Sequence, residues 1–233
     1  MGKLIVVRHG QASFHEKNYD NLSPLGEAQG RALGMYWCKL GFNWDRVYIG
    51  PKQRHRQTYE QVAQVYRETG LVFPEPVVLN NLNEHQGASV VRHVISGEKD
   101  LDGILPQAIK RGGEEAERAY FLRFQEITRA WAGGTLEAPD FQPWQDFRSK
   151  VRNGLQQMTQ TGFGDRVVAF SSGGPLAVSV GEALKLDDVQ VMALSWIVRN
   201  AAYAEYVFSK NRFTQISFNE VPHLDRPELY TMI

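Results

Sequence analysis

The sequence predicts an α/β fold, three layers deep, with a mostly parallel central sheet, helices on both faces and a helical insertion. Three observations lead there. Leu4-Ile5-Val6-Val7 is a short, continuously apolar and largely β-branched run, which marks a strand buried on both faces. Strand, loop and helix then follow one another in that order over 4–41, 44–70 and 165–186. Finally, AAYAEYVFSK and FTQISFNEV form a closing pair that reads as antiparallel edge strands.

Each element has its own signals. After the first strand the polar loop QASFHEKNYDN leads to a helix with Ser23 at its N-cap, Pro24 in its first turn and Gly41 as its stop. WDRVYIG is the second strand, and the helix after it starts at Pro51 and ends at Gly70. A third extended stretch, PEPVVLNNLNEHQ, carries Glu84, and from there to about residue 140 the pattern is irregular. Within that region EEAERAYFLRFQEITRAWAGG is helical and bounded by glycines. In the next helix Phe147, Val151, Leu155 and Met158 recur every three or four residues, so one apolar stripe faces the sheet. A chain of 233 residues with these elements is expected to be one domain, 1–233, with a lid insertion at about 85–145.

Composition narrows the class. Lys plus Arg and Asp plus Glu both number 26, so the footprint of a nucleic-acid binder is missing and any anion site must be local. The single Cys38 cannot form an internal disulfide and reads as a small buried hydrophobe. Only four apolar residues lie between Lys3 and Arg8, too few for a signal-peptide core, and no run reaches the ~18 of a membrane span. A soluble cytoplasmic protein is expected, without membrane or nucleic-acid partners and with its oligomeric state left open.

The chemistry gathers at strand ends, where open α/β sheets bind ligands. Arg8 and His9 follow the first strand, Arg54, His55 and Arg56 lie in the first turn after the second, and Ser171, Ser172, Gly173 and Gly174 follow VVAF. Two guanidiniums can hold a phosphoryl group, a neutral imidazole can attack phosphorus, and glycines let amides come close. One histidine after a strand is by itself more often a satisfied structural residue than a functional one.

The motifs together resemble those of the histidine phosphatase superfamily, the phosphoglycerate mutase-like family. Its apolar strand followed by Arg-His-Gly and Glu or Gln matches VVRHGQ, with Gly10 and Gln11 beside the phosphate. Its Leu-Thr-x-x-Gly-x-x-Gln is echoed by Leu22, Ser23, Gly26 and Gln29. Its Ser-Pro-Leu-x-Arg-Ala-x-Gln-Thr is echoed by GPKQRHRQT, which places a second phosphate-binding arginine at Arg54, with Gln57 and Thr58 after it. Its Leu-x-Glu falls on Leu82, Asn83 and Glu84, and its closing Asn with His-Leu resembles FNEVPHL.

The resemblance implies a phosphatase acting on a phosphorylated small molecule. His9 would be the nucleophile, Arg8 and Arg54 the charge clamp, and Glu84 the acid that protonates the leaving oxygen. Ser172, Gly173 and Gly174 would complete the phosphate site, with no metal and no cofactor. The family usually ends the strand before the glycine turn in Ser-His-Gly-Gly, whereas this chain has FSSGG, so Ser172 stands where a second histidine would be. A hydroxyl donates a hydrogen bond but brings no charge, so a slower enzyme is expected, and Ser172→His is expected to raise turnover. His55, His85, Arg56 and His15 are the candidates to replace the lost cation. Trp131, Trp144, Phe121 and Phe124 in the insertion could flank a substrate, although aromatics at helical spacing are more often core.

Three other readings remain. The chain could be a phosphoglycerate mutase, or a pseudo-enzyme that binds a phosphoester or a partner without turnover. It could also be an acyl hydrolase with Ser171 on an elbow and Asp187 and His223 following, which would leave Arg8, His9 and Arg54 without a role.

Overall fold

The alternation of side chains along β1, Gly2–Arg8, divides the molecule into its layers. The computed structural model describes residues 1–13, 20–98, 105–160, 162 and 164–232. Leu4 and Val6 belong to a core shared with Trp144, Phe147 and Val151, while Ile5 and Val7 belong to a second core with Leu33, Trp37 and Tyr66. All four β1 side chains are at most 1% exposed. At ~1.5–3 kcal/mol for each aliphatic side chain removed from water, this strand anchors both faces.

The six-stranded sheet runs in the order β3-β2-β4-β1-β5-β6. It comprises β2 Arg46–Ile49, β3 Pro76–Val78, β4 Arg166–Ser171, β5 Tyr203–Ser209 and β6 Arg212–Glu220 besides β1. β1 and β4, β2 and β4, and β2 and β3 pair in parallel, whereas β5 runs antiparallel to β1 and β6 to β5. The fold is therefore α/β with a mostly parallel centre and an antiparallel end. Helices α1 Pro24–Lys39 and α2 Gln53–Glu68 supply one outer layer. α5 Trp144–Thr159, α6 Gly173–Leu184 and α7 Asp188–Ser195 supply the other, together with α3 Gly87–Glu98 and α4 Leu105–Ala132.

Local chemistry explains most boundaries. Ser23 caps α1 by accepting from the Gly26 amide at 3.1 Å, and Gly41 leaves the helix at φ +68°. Helix α2 begins at Gln53, two residues after the expected Pro51, and Gly70 follows it at φ +72°. The predicted stripe of α5 is buried throughout. α4 breaks at Gly113, φ 67° and ψ −163°, so the expected helix is the part after that glycine.

Two helices fall where no helix is expected. α3 occupies part of the irregular stretch, where Gly87, Val90, Val91 and Gly97 dilute helix propensity and burial of Val90 and Val91 compensates. α7 is short and set by a capping box between Asp187 and Gln190. Cys38 is half-buried at the edge of the second core, not fully buried. Trp131 and Trp144 are core residues, whereas Phe121 is exposed. Among the described residues, no helix is long and apolar enough to cross a membrane.

Candidate active site

His9 leaves the C-terminal end of β1 between two neighbours that hold its main chain. Its amide donates to the Ser171 carbonyl at 2.8 Å, and its carbonyl accepts from the Ala201 amide at 3.0 Å and from Asn200 Nδ2 at 3.4 Å. The imidazole is buried, and its Nδ1 lies 2.6 Å from the Gly10 carbonyl. A carbonyl only accepts, so Nδ1 carries the hydrogen and Nε2 keeps its lone pair. Arg54 Nε donates to that lone pair at 3.0 Å. Burial, and then the Arg54 and Arg8 guanidiniums and the neighbouring His55, hold the His9 pKa well below the ordinary histidine value. The ring is neutral at neutral pH.

The first turn of α2 delivers Arg54, which is buried despite its charge. Asp20 at the end of the first loop compensates it, with Oδ1 3.0 Å from Arg54 Nη1 and Oδ2 accepting from the Gln53 amide at 2.9 Å. Thr58, one turn on, donates to the Arg54 carbonyl at 2.7 Å and accepts from the Gly10 amide at 3.1 Å. It thereby joins α2 to the loop that follows His9. Arg8 donates to the Val198 carbonyl, and its guanidinium passes beside Gly173, where an added Cβ would sit 3.8 Å from Nε.

Ser172, at the end of β4, is not beside a vacancy. Its Oγ lies 2.7 Å from Nε2 of His55, and both residues are completely buried. The His55 ring stands 5.8 Å from the His9 ring, centroid to centroid. Among the described residues of the four proposed replacements, this is the one hydrogen-bonded to Ser172. It is not a cation: burial first, then Arg54, lowers its pKa to about 3. An imidazole, though not a charged one, thus already lies against the Ser172 hydroxyl. Arg56 is exposed, and His15 lies outside the described residues.

Glu84 follows the 3-10 turn Asn80–Leu82 and reaches the start of α6, where the Gly174 amide donates to both carboxylate oxygens, at 3.1 and 3.3 Å. A Cβ at Gly174 would sit 2.1 Å from Glu84 Oε1, so only glycine permits the approach. His85 accepts the Gly87 amide at Nδ1, 3.0 Å away, and turns Nε2 towards Glu84 Oε1 at 3.6 Å. Trp131, Trp144 and Phe147 enclose its ring. Gln11 accepts from Ser23 Oγ at 2.8 Å, and its amide donates to the buried Gln29.

These contacts bring His9, Arg54, Ser172 and His55 into one cluster, with Arg8 beside Gly173 and Glu84 on Gly174. The acyl-hydrolase residues do not converge in this way. Ser171 Oγ is buried and donates to the Leu82 carbonyl, Asp187 caps α7, and the His223 ring stacks on Tyr203. Two members of the site carry no signal in the sequence. Asp20 sits in a polar loop among other polar residues, and Asn200 precedes a strand without any motif. Among the described residues, no three His, Cys, Asp or Glu side chains converge as a metal-binding set.

Residues 4–88 match the family model of the histidine phosphatase superfamily (branch 1), the family that the motifs resemble. No curated protein matches the chain in sequence. Solved structures share its fold across nearly its whole length. Phosphoserine phosphatase from Entamoeba histolytica is 16% identical with a TM-score of 0.63, covering 96% of this chain and 100% of its own. Phosphoglycerate mutase from Bacillus anthracis is 14% identical with a TM-score of 0.64, covering 95% and 94%. The mycobacterial glucosyl-3-phosphoglycerate phosphatase is 20% identical with a TM-score of 0.60, covering 96% and 100%.

Proposed function

We propose that this chain, with its histidine phosphatase match over residues 4–88, hydrolyses small-molecule phosphomonoesters through a phosphohistidine at His9. The observation that carries the proposal is the state of the His9 ring. It is buried and neutral, its hydrogen is fixed on Nδ1 by Gly10, and its Nε2 lone pair is met by a guanidinium at the end of a central strand.

In the first half-reaction the Arg54 N–H turns from Nε2 to the phosphoryl oxygens, and Arg8 joins it. Nε2 attacks phosphorus in line, an N–P bond forms, the P–O bond to the alcohol breaks, and Glu84 gives its proton to the departing oxygen. In the second, a water yields its proton to the Glu84 carboxylate while its oxygen attacks phosphorus. The N–P bond breaks, which returns neutral His9 and protonated Glu84. The Gly174 amide and the start of α6 suit an anion, whether carboxylate or phosphoryl. The insertion at about 85–145 is assigned as a lid that reads the rest of the substrate, since His85 of this stretch already joins Glu84 to Trp131 of α4.

Ser172 replaces a charged ligand by a neutral one, which sets the rate below that of an enzyme with a second histidine by about 100- to 1,000-fold. Incubation with p-nitrophenyl phosphate is expected to leave an acid-labile, alkali-stable phosphoryl group on residue 9, and His9→Ala is expected to abolish both adduct and turnover. Turnover that survives His9→Ala overturns the mechanism. Phosphate binding with neither adduct nor turnover points to the binding-only reading.

A further inference from the structure

We propose that His55 is a positioning residue of the phosphoryl pocket, which holds the Ser172 hydroxyl as the fourth group around the bound phosphate. The inference rests on the phosphatase reading above and assigns to that site a residue that its motifs do not contain. Its basis is a contact between two departures. The signature around Arg54 has alanine where this chain has His55, and the signature before the glycine turn has histidine where it has Ser172. These two positions, 117 residues apart in sequence, meet at 2.7 Å.

Three further features support a built pair. Ser172 is the N-cap of α6 by position, yet its side chain makes no capping bond, so its hydroxyl is engaged by His55 instead. The His55 ring is pressed against Gly50, where a Cβ would fall 2.3 Å from Nδ1, so glycine at position 50 makes room for the ring. β1 and β4 run parallel with Arg8 opposite Ser171, which leaves His9 and Ser172 to emerge side by side from adjacent strand ends. The imidazole thus reaches the pocket from the first turn of α2 rather than from β4. Both residues are buried and neutral, so the pair supplies direction and polarity and no net charge.

The test compares wild type, His55→Ala, Ser172→Ala, Ser172→His and the two doubles His55→Ala/Ser172→Ala and His55→Ala/Ser172→His. Readouts are kcat and KM for p-nitrophenyl phosphate and the Kd for inorganic phosphate. His55→Ala is expected to lower kcat by up to about 100-fold with a smaller change in KM, as misplacement of one pocket group does. Ser172→Ala should cost a similar factor, and their double should cost little more, because the two act as one unit. Ser172→His alone should lose activity for want of space, and adding His55→Ala should restore it by at least about tenfold. His55→Gln and thermal melts separate a positioning loss from a folding loss.

A His55→Ala enzyme within twofold of wild type, independent losses from the two alanine variants, or no recovery in the swapped double overturns the proposal. If wild type does not turn over, the same coupling is read in phosphate Kd. A coupled loss of phosphate binding then sustains the pair while the catalytic reading falls, and an uncoupled one overturns the pair.

Discussion

The His9 ring shows how far a single residue's surroundings set its chemistry. Burial and three neighbouring basic groups keep it unprotonated, so the acid limb due to His9 in a kcat/KM profile is expected well below pH 6.5. A limb at 6.5 or above would show that the ring is not the buried one. Stability follows the same sign. His9, His55 and His223 have folded pKa values below their unfolded ones, so their stabilising contribution is complete above about pH 6.5 and is lost as pH falls from there. For His223 the loss ends near its folded value of about 4, and for His55 near about 3. Each costs up to about 1.4 kcal/mol per pH unit within its window. Neither nitrogen of His223 makes a well-aligned hydrogen bond, and its ring stacks on Tyr203. His223→Phe is therefore expected to shrink the drop in urea midpoint between pH 7 and pH 5 without loss at pH 7. Asp20→Asn removes the charge from the carboxylate that holds Arg54, and a roughly tenfold rise in KM is expected in steady-state assays, with kcat less affected.

At the scale of elements, close backbone approach sets the requirements. A Cβ at Gly10 would lie 2.3 Å from the Gly26 carbonyl oxygen, and one at Gly26 would lie 2.1 Å from that of Gln11. The loop after β1 and the start of α1 are thus locked together. Gly174 plays the corresponding part between α6 and Glu84. Gly174→Ala is expected to displace the Glu84 carboxylate and reduce kcat by about 100-fold. The fold should be kept, because the groups displaced are the Glu84 carboxylate and the edge of the His85 ring. An unchanged kcat would detach Glu84 from the reaction. Most helix ends were legible in sequence, since Ser23, Gly41 and Gly70 act through their own backbone preferences. α3 was not legible, because it is stabilised by burial of Val90 and Val91 and by packing on α4 rather than by its own local signals.

Across the whole molecule, one ion network fastens the outer layer that carries α5, α6 and α7. Arg148 donates to Glu182 at 2.9 Å, to Asp188 at 2.8 Å and to the Leu186 carbonyl at 2.9 Å, and Arg152 adds two bonds to Glu182. With a side chain only 14% exposed, Arg148 on removal leaves the Leu186 carbonyl without its donor, while Glu182 keeps only Arg152 and Asp188 only Trp144 Nε1 of the bonds that tie these helices. Arg148→Met is expected to destabilise the protein by about 1–3 kcal/mol. For a domain of this size that is a fall in Tm of roughly 2–10 °C by calorimetry. The candidate site draws on β1, β2 with its helix α2, and β4 at once, so its geometry depends on the sheet that orders them.

The sequence alone determined the α/β class, the strand that both cores share and the strand ends on which polar residues gather. Those features arise from local rules: alternation on a strand, periodicity on a helix, glycine where the backbone must turn. It also placed Arg8, His9, Arg54, Glu84 and Ser172 at candidate positions, because short motifs are contiguous in the chain. Tertiary structure decided which of these touch. It set Asp20 on Arg54, turned Glu84 onto the Gly174 amide and placed a neutral His55 against Ser172, where the sequence had suggested a missing cation. Contacts across 34 or 117 residues depend on strand order and on the direction each side chain takes from its element, and neither is written in the spacing of the chain.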